Sequence, residues 1–186
     1  MKTSRFLLAT LLSLSTVTIA QSTKSPTEPS PVPSSPAQPS FDQLKTLAGH
    51  WTGKVSMSEA NAPDDKPVPL DVTLRVTSMG NTLMHEMKSA APDDPITMFT
   101  LDGDKLVLTH YCDAGNQPRM VGTVSPDGKT YTFDFVSATN LLPTQHGHMQ
   151  HVVFTLIDPD HHTEKWDFAM ADGKTMGGLL DLHRVK

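Results

Sequence analysis

The sequence predicts an all-β fold, a ten-stranded antiparallel up-and-down β-barrel preceded by one short helix. Apolar and polar residues alternate with a period of two, which is typical of strands that are buried on one face. Tight-turn signals separate these runs, and helix signals are confined to one short stretch. Ten consecutive strands with short connections are too many for a flat sheet, so we expect the sheet to close into a barrel.

Residues 1–20 have the pattern of a secretory signal peptide. Lys2 and Arg5 form a basic start, an apolar stretch follows from Phe6, and the small residue Ala20 precedes the expected cleavage site. The apolar stretch is too short, and too interrupted by Ser and Thr, for a membrane-spanning helix. We therefore expect a secreted or periplasmic protein that is cleaved near Ala20 and has no membrane span. The alternative is a frayed N-terminal helix of a cytosolic protein.

Residues 21–40 contain six prolines and six serines and no hydrophobic periodicity. Such a composition cannot bury apolar surface and is typical of an extended, disordered linker. The folded domain is therefore predicted over 41–186, a length that suits a single domain.

The one helix is predicted over 41–47, with Ser40 as its N-cap. Phe41, Leu44 and Leu47 recur every three residues, so they would pack one helix face against the barrel.

The strands are predicted over 50–58, 69–78, 82–89, 95–101, 105–112, 118–124, 130–136, 147–157, 163–170 and 177–185. Tyr131, Phe133 and Phe135 illustrate the apolar face of one such run. Glycine-containing turns such as 102–104 and 172–174 separate the runs. A barrel of this width normally encloses a cavity, so we expect space for a ligand in its lumen.

Composition excludes several classes of protein. The formal net charge is −5, and loss of Lys2 and Arg5 with the signal peptide would leave −7, which argues against a nucleic-acid-binding protein. Cys112 is the single cysteine, so the chain has no intrachain disulfide and no multi-thiolate zinc site. The common hydrolase and nucleotide-binding motifs are also missing from the sequence.

Two resemblances support this fold. The segment 47–53, Leu-Ala-Gly-His-Trp-Thr-Gly, resembles the G-x-W-x-G start of lipocalin-like and nitrobindin-like barrels, although Val55 departs from the nitrobindin-like pattern. The runs 108–120 and 134–141 resemble an exported bacterial lipocalin-like (calycin-type) family of unknown function. This resemblance implies the barrel and export, and it implies no established activity. His183 does not match the haem-ligand position of nitrobindin-like barrels, so haem binding is not implied.

The alternation predicts that several side chains able to bind a metal ion or transfer a proton point into the lumen. These are His85, Met87, His110, Cys112 and His148. His85, His110, Cys112 and His148 are candidate ligands for a metal ion, since imidazole and thiolate suit zinc, copper or iron. They would equally serve as proton-transfer groups or as a Cys–His nucleophilic pair. The alternative is that His110 and Cys112 are packed interior residues.

The loop after His110 and Cys112 is a second candidate. Asn116 and Arg119 would bind an anionic group beside the cavity, because an arginine fork fits carboxylate or phosphate. The alternative is that Arg119 pairs with an acidic neighbour such as Asp134.

Five other histidines are predicted to lie outside the lumen. His161 and His162 follow a Pro-Asp turn signal and are interpreted as a solvated turn, whereas His50 and His183 are placed at the rim or exterior. His151 is predicted to face away from His148.

Three functions remain open at this stage. The first is an exported binding protein that holds a small, largely apolar molecule in its lumen. The second is a metal- or haem-dependent enzyme or redox protein that uses the inward His and Cys residues, and the third is a structural or interaction domain with a filled barrel. The sequence specifies neither the ligand nor the metal. It leaves the oligomeric state open, with a homodimer among the options.

Overall fold

The computed structural model describes residues 35–58, 66–89, 94–142 and 147–186. They form helix α1 (Gln38–Leu44), a 3₁₀ turn (Lys45–Leu47) and ten strands: β1 (Gly49–Ser58), β2 (Val68–Thr77), β3 (Thr82–Lys88), β4 (Ile96–Asp102), β5 (Lys105–Tyr111), β6 (Gln117–Val124), β7 (Thr130–Thr139), β8 (His148–Asp158), β9 (His161–Ala169) and β10 (Thr175–Arg184). Each strand end lies within three residues of its prediction. The predicted signal peptide and residues 21–34 of the predicted linker lie outside the described residues.

The strands form one closed antiparallel barrel in chain order, and β1 pairs with β10. The closing register runs from Trp51 opposite Arg184 to Ser58 opposite Gly177. Closure pairs both edges of the sheet, which removes the exposed edges that promote aggregation. The predicted ten-stranded up-and-down barrel is therefore confirmed. Among the described residues, no helix has the length and apolar character needed to cross a membrane.

The helix begins earlier than predicted. It starts at Gln38 with Ala37 as its N-cap, so Ser40 lies within the helix and the last residues of the predicted linker are folded. Pro39 occupies the first turn, where a missing N–H group removes no intrahelical hydrogen bond. The prediction placed this start too late because Pro39 was counted as part of the proline-rich linker.

Helix α1 packs across one end of the barrel, which we call the closed end. Its buried side chains, with that of the following 3₁₀ turn, are Phe41, Leu44 and Leu47. Lys45 donates a hydrogen bond to the carbonyl of Gly80, in the connection between β2 and β3. The Tyr131 hydroxyl donates to the carbonyl of Ser40 at 3.1 Å. These contacts fix the helix to connections at this end.

Arg184 ties the last strand to this end. Its guanidinium lies 4.2 Å from the ring centroid of Trp51, and it donates to the carbonyls of Ala48 at 2.8 Å and Thr46 at 3.0 Å. The Trp51 indole donates to the carbonyl of Leu47 at 2.8 Å. The first strand, the last strand and the helical segment are thereby joined around one buried tryptophan.

Gly53 allows β1 and β10 to approach closely. A Cβ atom at this position would overlap the backbone carbonyl oxygen of Asp181, which cannot move independently of its strand. We expect Gly53→Ala to lower the free energy of unfolding by about 1–3 kcal/mol, the usual cost of overpacking. Urea denaturation would measure this loss. The matched control is Gly178→Ala, whose added methyl meets only the side chains of Met57 and Val55. Equal stability of the two variants would contradict the steric argument.

The centre of the barrel is packed with aromatic rings. The ring of Phe99 lies 5.3 Å from that of Phe133 and 5.4 Å from that of Phe154, in edge-to-face arrangements. All three side chains are fully buried. These rings fill the middle of the lumen among the described residues, and the cavity reported below lies towards the opposite end, which we call the open end.

Candidate ligand cavity and buried glutamate cluster

The inward face of β9 carries both polar and aromatic groups. His162, Glu164 and Trp166 alternate along the strand and are buried, and Phe168 follows on the same face. Lys165, on the opposite face, is exposed and pairs with Asp167 at 2.9 Å. The period of two therefore places a carboxylate and an imidazole in an interior that is otherwise largely apolar.

Glu164 accepts hydrogen bonds from three side chains. His85 Nε2 lies 3.1 and 3.0 Å from its two oxygens, His162 Nε2 lies 2.9 Å from Oε1, and Trp166 Nε1 donates to Oε2 at 2.9 Å. Burial by itself would raise the pKa of Glu164, but attraction to His85 and hydrogen bonds from His162 and His85 outweigh it and lower the pKa to about 2. The group is therefore a carboxylate at neutral pH. We call these four residues the Glu164 cluster.

Two atoms of the Glu164 cluster lack partners. The Nδ1 atoms of His85 and His162 are buried and make no hydrogen bond within the described part of the chain. The His162 ring packs edge-on against Trp51 at 4.2 Å, and the His85 ring lies edge-on to Phe154 at 5.9 Å. Aromatic packing thus surrounds the imidazoles on the sides that do not face the carboxylate.

His110, on β5, packs against Trp166, as His85 does. Its ring centroid is 5.4 Å from the indole, and that of His85 is 5.6 Å from it. The His110 Nδ1 atom is 2.8 Å from the hydroxyl of Thr97, and both residues are buried. Burial, with a smaller effect from His85, lowers the pKa of His110 to about 4. His110 is therefore a neutral imidazole at neutral pH, with Nε2 as its remaining polar atom.

A cavity of about 650 Å³ occupies the open half of the lumen. It is lined by Val55, Met57, Val68, Leu70, Met87, Ser89, Pro95, His110, Cys112, Asp113, Ala114, Met149, Trp166, Phe168, Met170, Met176, Gly178 and Leu180. Five of these residues are methionines, whose flexible thioethers adapt to ligands of different shape. The lining described here contains no Lys or Arg, and its only carboxylate is that of Asp113. The described lining is therefore mainly apolar and adaptable, and it carries no Lys or Arg charge.

The structure brings three of the predicted site residues to this cavity. Met87, His110 and Cys112 line it, whereas His85 lies deeper, within the Glu164 cluster. The thiol of Cys112 lies 3.3 Å from Oδ1 of Asp113, and burial raises its pKa to about 11. Cys112 is thus a neutral thiol, which disfavours the Cys–His nucleophilic pair because the thiolate is the reactive form.

His148 does not reach the cavity wall. A β-bulge between Met149 and His151 interrupts the alternation of β8, so Met149 lines the cavity. The ring of His148 instead packs against Phe135 at 4.3 Å, and burial lowers its pKa. The four predicted metal ligands are therefore distributed over the Glu164 cluster, the cavity wall and the Phe135 contact. His151 points outward, as predicted, and bonds to Asp134 at 2.8 Å.

The two residues of the predicted anion-binding loop, Asn116 and Arg119, also lie in different places. Asn116 is fully buried and donates to the carbonyl of Gly147 at 2.8 Å, so it joins two connections at the open end. Arg119 lies outside the cavity lining and pairs with Asp102. Its acidic partner is therefore Asp102 and not the expected Asp134.

The sequence interpretation of His161 and His162 as a solvated turn is wrong. The turn consists of Pro159 and Asp160 alone, β9 begins at His161, and His162 is fully buried. The sequence contains a signal for the buried position, because Trp166 and Phe168 alternate with polar residues and mark the apolar face of this strand. Extending their period of two backwards places Glu164 and His162 on that face. His50 and His183 are exposed, as predicted.

Comparisons with solved structures support the barrel fold. A protein of unknown function from the DUF3598 family of Nostoc punctiforme aligns with a TM-score of 0.56 and 16% identity, over 77% of this chain and 49% of that chain. This chain thus spans about half the length of the Nostoc structure. Rv2717c from M. tuberculosis aligns with a TM-score of 0.53 and 18% identity, over 80% of this chain and 98% of that chain.

At these identities the likeness extends to the fold alone, and the lipocalin-like assignment remains a resemblance. No curated protein matches the chain. A family model described as "Protein of unknown function (DUF1579)" matches residues 37–178, which include α1 and most of the barrel. The chain therefore belongs to this family of unknown function.

Proposed function

We propose that this protein is an exported barrel that holds a small, uncharged and mainly apolar molecule in the open half of its lumen. The observation that carries the proposal is the cavity of about 650 Å³ with its largely apolar lining. Ligand pockets in proteins typically have volumes of roughly 300–1,000 Å³ and combine apolar walls with a few polar groups. Export is supported by the signal-like pattern of residues 1–20.

The polar groups of the cavity favour a ligand with one hydrogen-bonding group. Nε2 of His110 has no partner among the described residues, and Trp166 beside it offers an aromatic surface. The neutral imidazole would accept a hydrogen bond from a hydroxyl or donate one to a carbonyl. A ligand would therefore place its polar group at the base of the cavity and its apolar body among the methionines.

Charge disfavours an anionic ligand. A carboxylate in this cavity would meet no Lys or Arg in the described lining, and it would approach the carboxylate of Asp113. Burying an unpaired charge costs several kcal/mol, which is comparable to the whole binding energy of a small ligand. At about 0.3 kcal/mol per atom, a ligand of about twenty non-hydrogen atoms would bind with roughly 6 kcal/mol, a Kd of tens of micromolar.

Two fluorescent probes test this proposal. N-phenyl-1-naphthylamine is neutral, and 8-anilinonaphthalene-1-sulfonate has a similar aromatic body with one negative charge. We expect the neutral probe to bind with a Kd of about tens of micromolar and the sulfonate to bind at least about tenfold more weakly. Equal affinity would overturn the charge preference, and absence of binding by the neutral probe would overturn the cavity proposal.

A pair of variants at Gly178 locates the bound probe. Gly178 lines the cavity on β10, so Gly178→Phe would fill part of it and lower the affinity for the neutral probe at least about tenfold. The control Gly178→Ala adds one methyl group beside flexible side chains and leaves most of the volume open. An unchanged affinity in Gly178→Phe would show that the probe binds elsewhere.

The alternative functions have less support in the geometry. An enzyme or redox function that uses His85, His110, Cys112 and His148 requires these residues to share one site, and they occupy three. A structural domain with a filled barrel fits the packed closed half of the lumen. It does not account for the cavity of the open half.

A further inference from the structure

A cluster of two imidazoles and one carboxylate lies on the outer face of β9 and β10, near the closed end. His161 and His183 are directly opposite each other in the antiparallel register, and Asp181 lies two residues before His183 on the same face. Directly opposed residues have Cβ atoms about 5 Å apart, and residues two apart on one strand share a face. The backbone pairing therefore holds the three side chains together.

The ligand atoms of these side chains converge. His161 Nε2 lies 2.7 Å from Oδ1 of Asp181, and His183 Nε2 lies 3.8 Å from the same oxygen. The two imidazole rings stack with centroids 4.2 Å apart. One possible ligand atom from each of the three side chains lies within 4.8 Å of the other two, and among the described residues no other set of three His, Cys, Asp or Glu side chains meets this distance.

We propose that His161, Asp181 and His183 form a binding site for a divalent first-row transition-metal ion such as Zn²⁺. Two imidazoles and one carboxylate form a ligand set that zinc adopts with water in its fourth position. Hard cations such as Ca²⁺ and Mg²⁺ prefer oxygen ligands, so the two nitrogens disfavour them. The site is separate from the lumen and does not depend on the proposed ligand-binding function.

The cluster requires only a small adjustment to bind the ion. Tetrahedral zinc, with ligands at about 2.0–2.1 Å, holds neighbouring ligand atoms roughly 3.3 Å apart. The side chains of Asp181 and His183 are more than half exposed and that of His161 is partly exposed, so rotation about their side-chain bonds can close the remaining distance. The ion would replace the hydrogen bond between His161 and Asp181 and relieve the close approach of the two imidazoles.

Calorimetric titration of Zn²⁺ into the tag-free, chelator-treated full chain tests the site. We expect one ion per chain, with the affinity reduced at least about tenfold in His161→Gln and in His183→Gln, since even loss of an outer-shell partner costs about 10–100-fold. His151→Gln is the matched control, because His151 also pairs with an aspartate on the outer face. It should leave the affinity unchanged.

The pattern across the variants decides the outcome. All substituted side chains are at least partly exposed, and circular dichroism would verify that each variant is folded. Absence of zinc binding would overturn the proposal. Binding that survives both His161→Gln and His183→Gln would also overturn it, since the ion would then be held elsewhere. If one of the two variants is unfolded, the other is used alone: weakened zinc binding supports the site, and unchanged binding overturns it.

Discussion

Replacement of Glu164 by glutamine is expected to lower the free energy of unfolding by about 3–5 kcal/mol, because it removes a buried charged acceptor to which three buried side chains are hydrogen-bonded. The carboxylate accepts from His85, His162 and Trp166, and all four side chains are almost completely buried. A glutamine amide would offer one acceptor oxygen and direct an NH₂ group at another donor. At least one buried N–H group would then lose its partner.

Urea denaturation at neutral pH would measure this loss as a lower midpoint with an unchanged slope. The control is Asp134→Asn, which breaks the outward-facing ion pair with His151. That pair is partly exposed, so we expect a change within about 0.5 kcal/mol. If Glu164→Gln and Asp134→Asn lowered the free energy of unfolding by similar amounts, burial would not be the reason that the Glu164 cluster stabilises the protein.

The second large expected effect is a loss of stability at acidic pH. We expect the protein to lose about 3 kcal/mol of stability through His110 alone as the pH falls from about 6.5 to about 4. Its pKa is lowered from the ordinary value of 6.5 to about 4 by burial, so the unfolded chain binds this proton at a higher pH than the folded chain does. Stability from this group is therefore complete above about pH 6.5 and is lost on acidification.

The difference between wild type and His110→Gln isolates this contribution. Glutamine does not titrate in this range, so the variant should lose less stability than wild type between pH 7 and pH 4. Parallel curves for wild type and His110→Gln would contradict a neutral, buried His110. The Glu164 contribution is separable, since it is lost at lower pH, between its ordinary pKa of 4.5 and about 2.

These effects bear on the proposed ligand. His110 forms part of the cavity base, and its ring packs against Trp166, which belongs to the Glu164 cluster. The fixed carboxylate holds the indole N–H group, which orients the aromatic surface towards the open end. Substitutions in the Glu164 cluster should therefore loosen the base of the cavity as well as lower stability.

The strands were predictable because their signal is local. The apolar face of β7, with Tyr131 and Phe133 buried, follows from a period of two within one run of sequence. Glycine-containing turns marked the connections independently of packing. The start of α1 was missed because Pro39 suits a linker and the first turn of a helix equally well.

Parts of the candidate site were also predictable. The inward orientation of His85, His110 and Cys112 followed from alternation, and so would that of Glu164 if β9 had been extended backwards. His148 shows the limit of such reasoning. Because of a bulge in β8, Met149 lines the cavity in place of His148. A bulge arises from the pairing with a neighbouring strand, so the sequence of β8 alone does not reveal it.

The sequence by itself determined the strand order, the alternation of faces, the presence of one short helix before the barrel and the acidic, single-cysteine character of the chain. These properties depend on composition and on neighbours within a few residues. Only the tertiary structure decided that the helix fills one end and leaves a cavity at the other, and that Arg119 pairs with Asp102. It likewise decided that Glu164 meets His85, which is 79 residues away in the chain. Such contacts depend on the radius, register and closure of the barrel, which no single strand specifies.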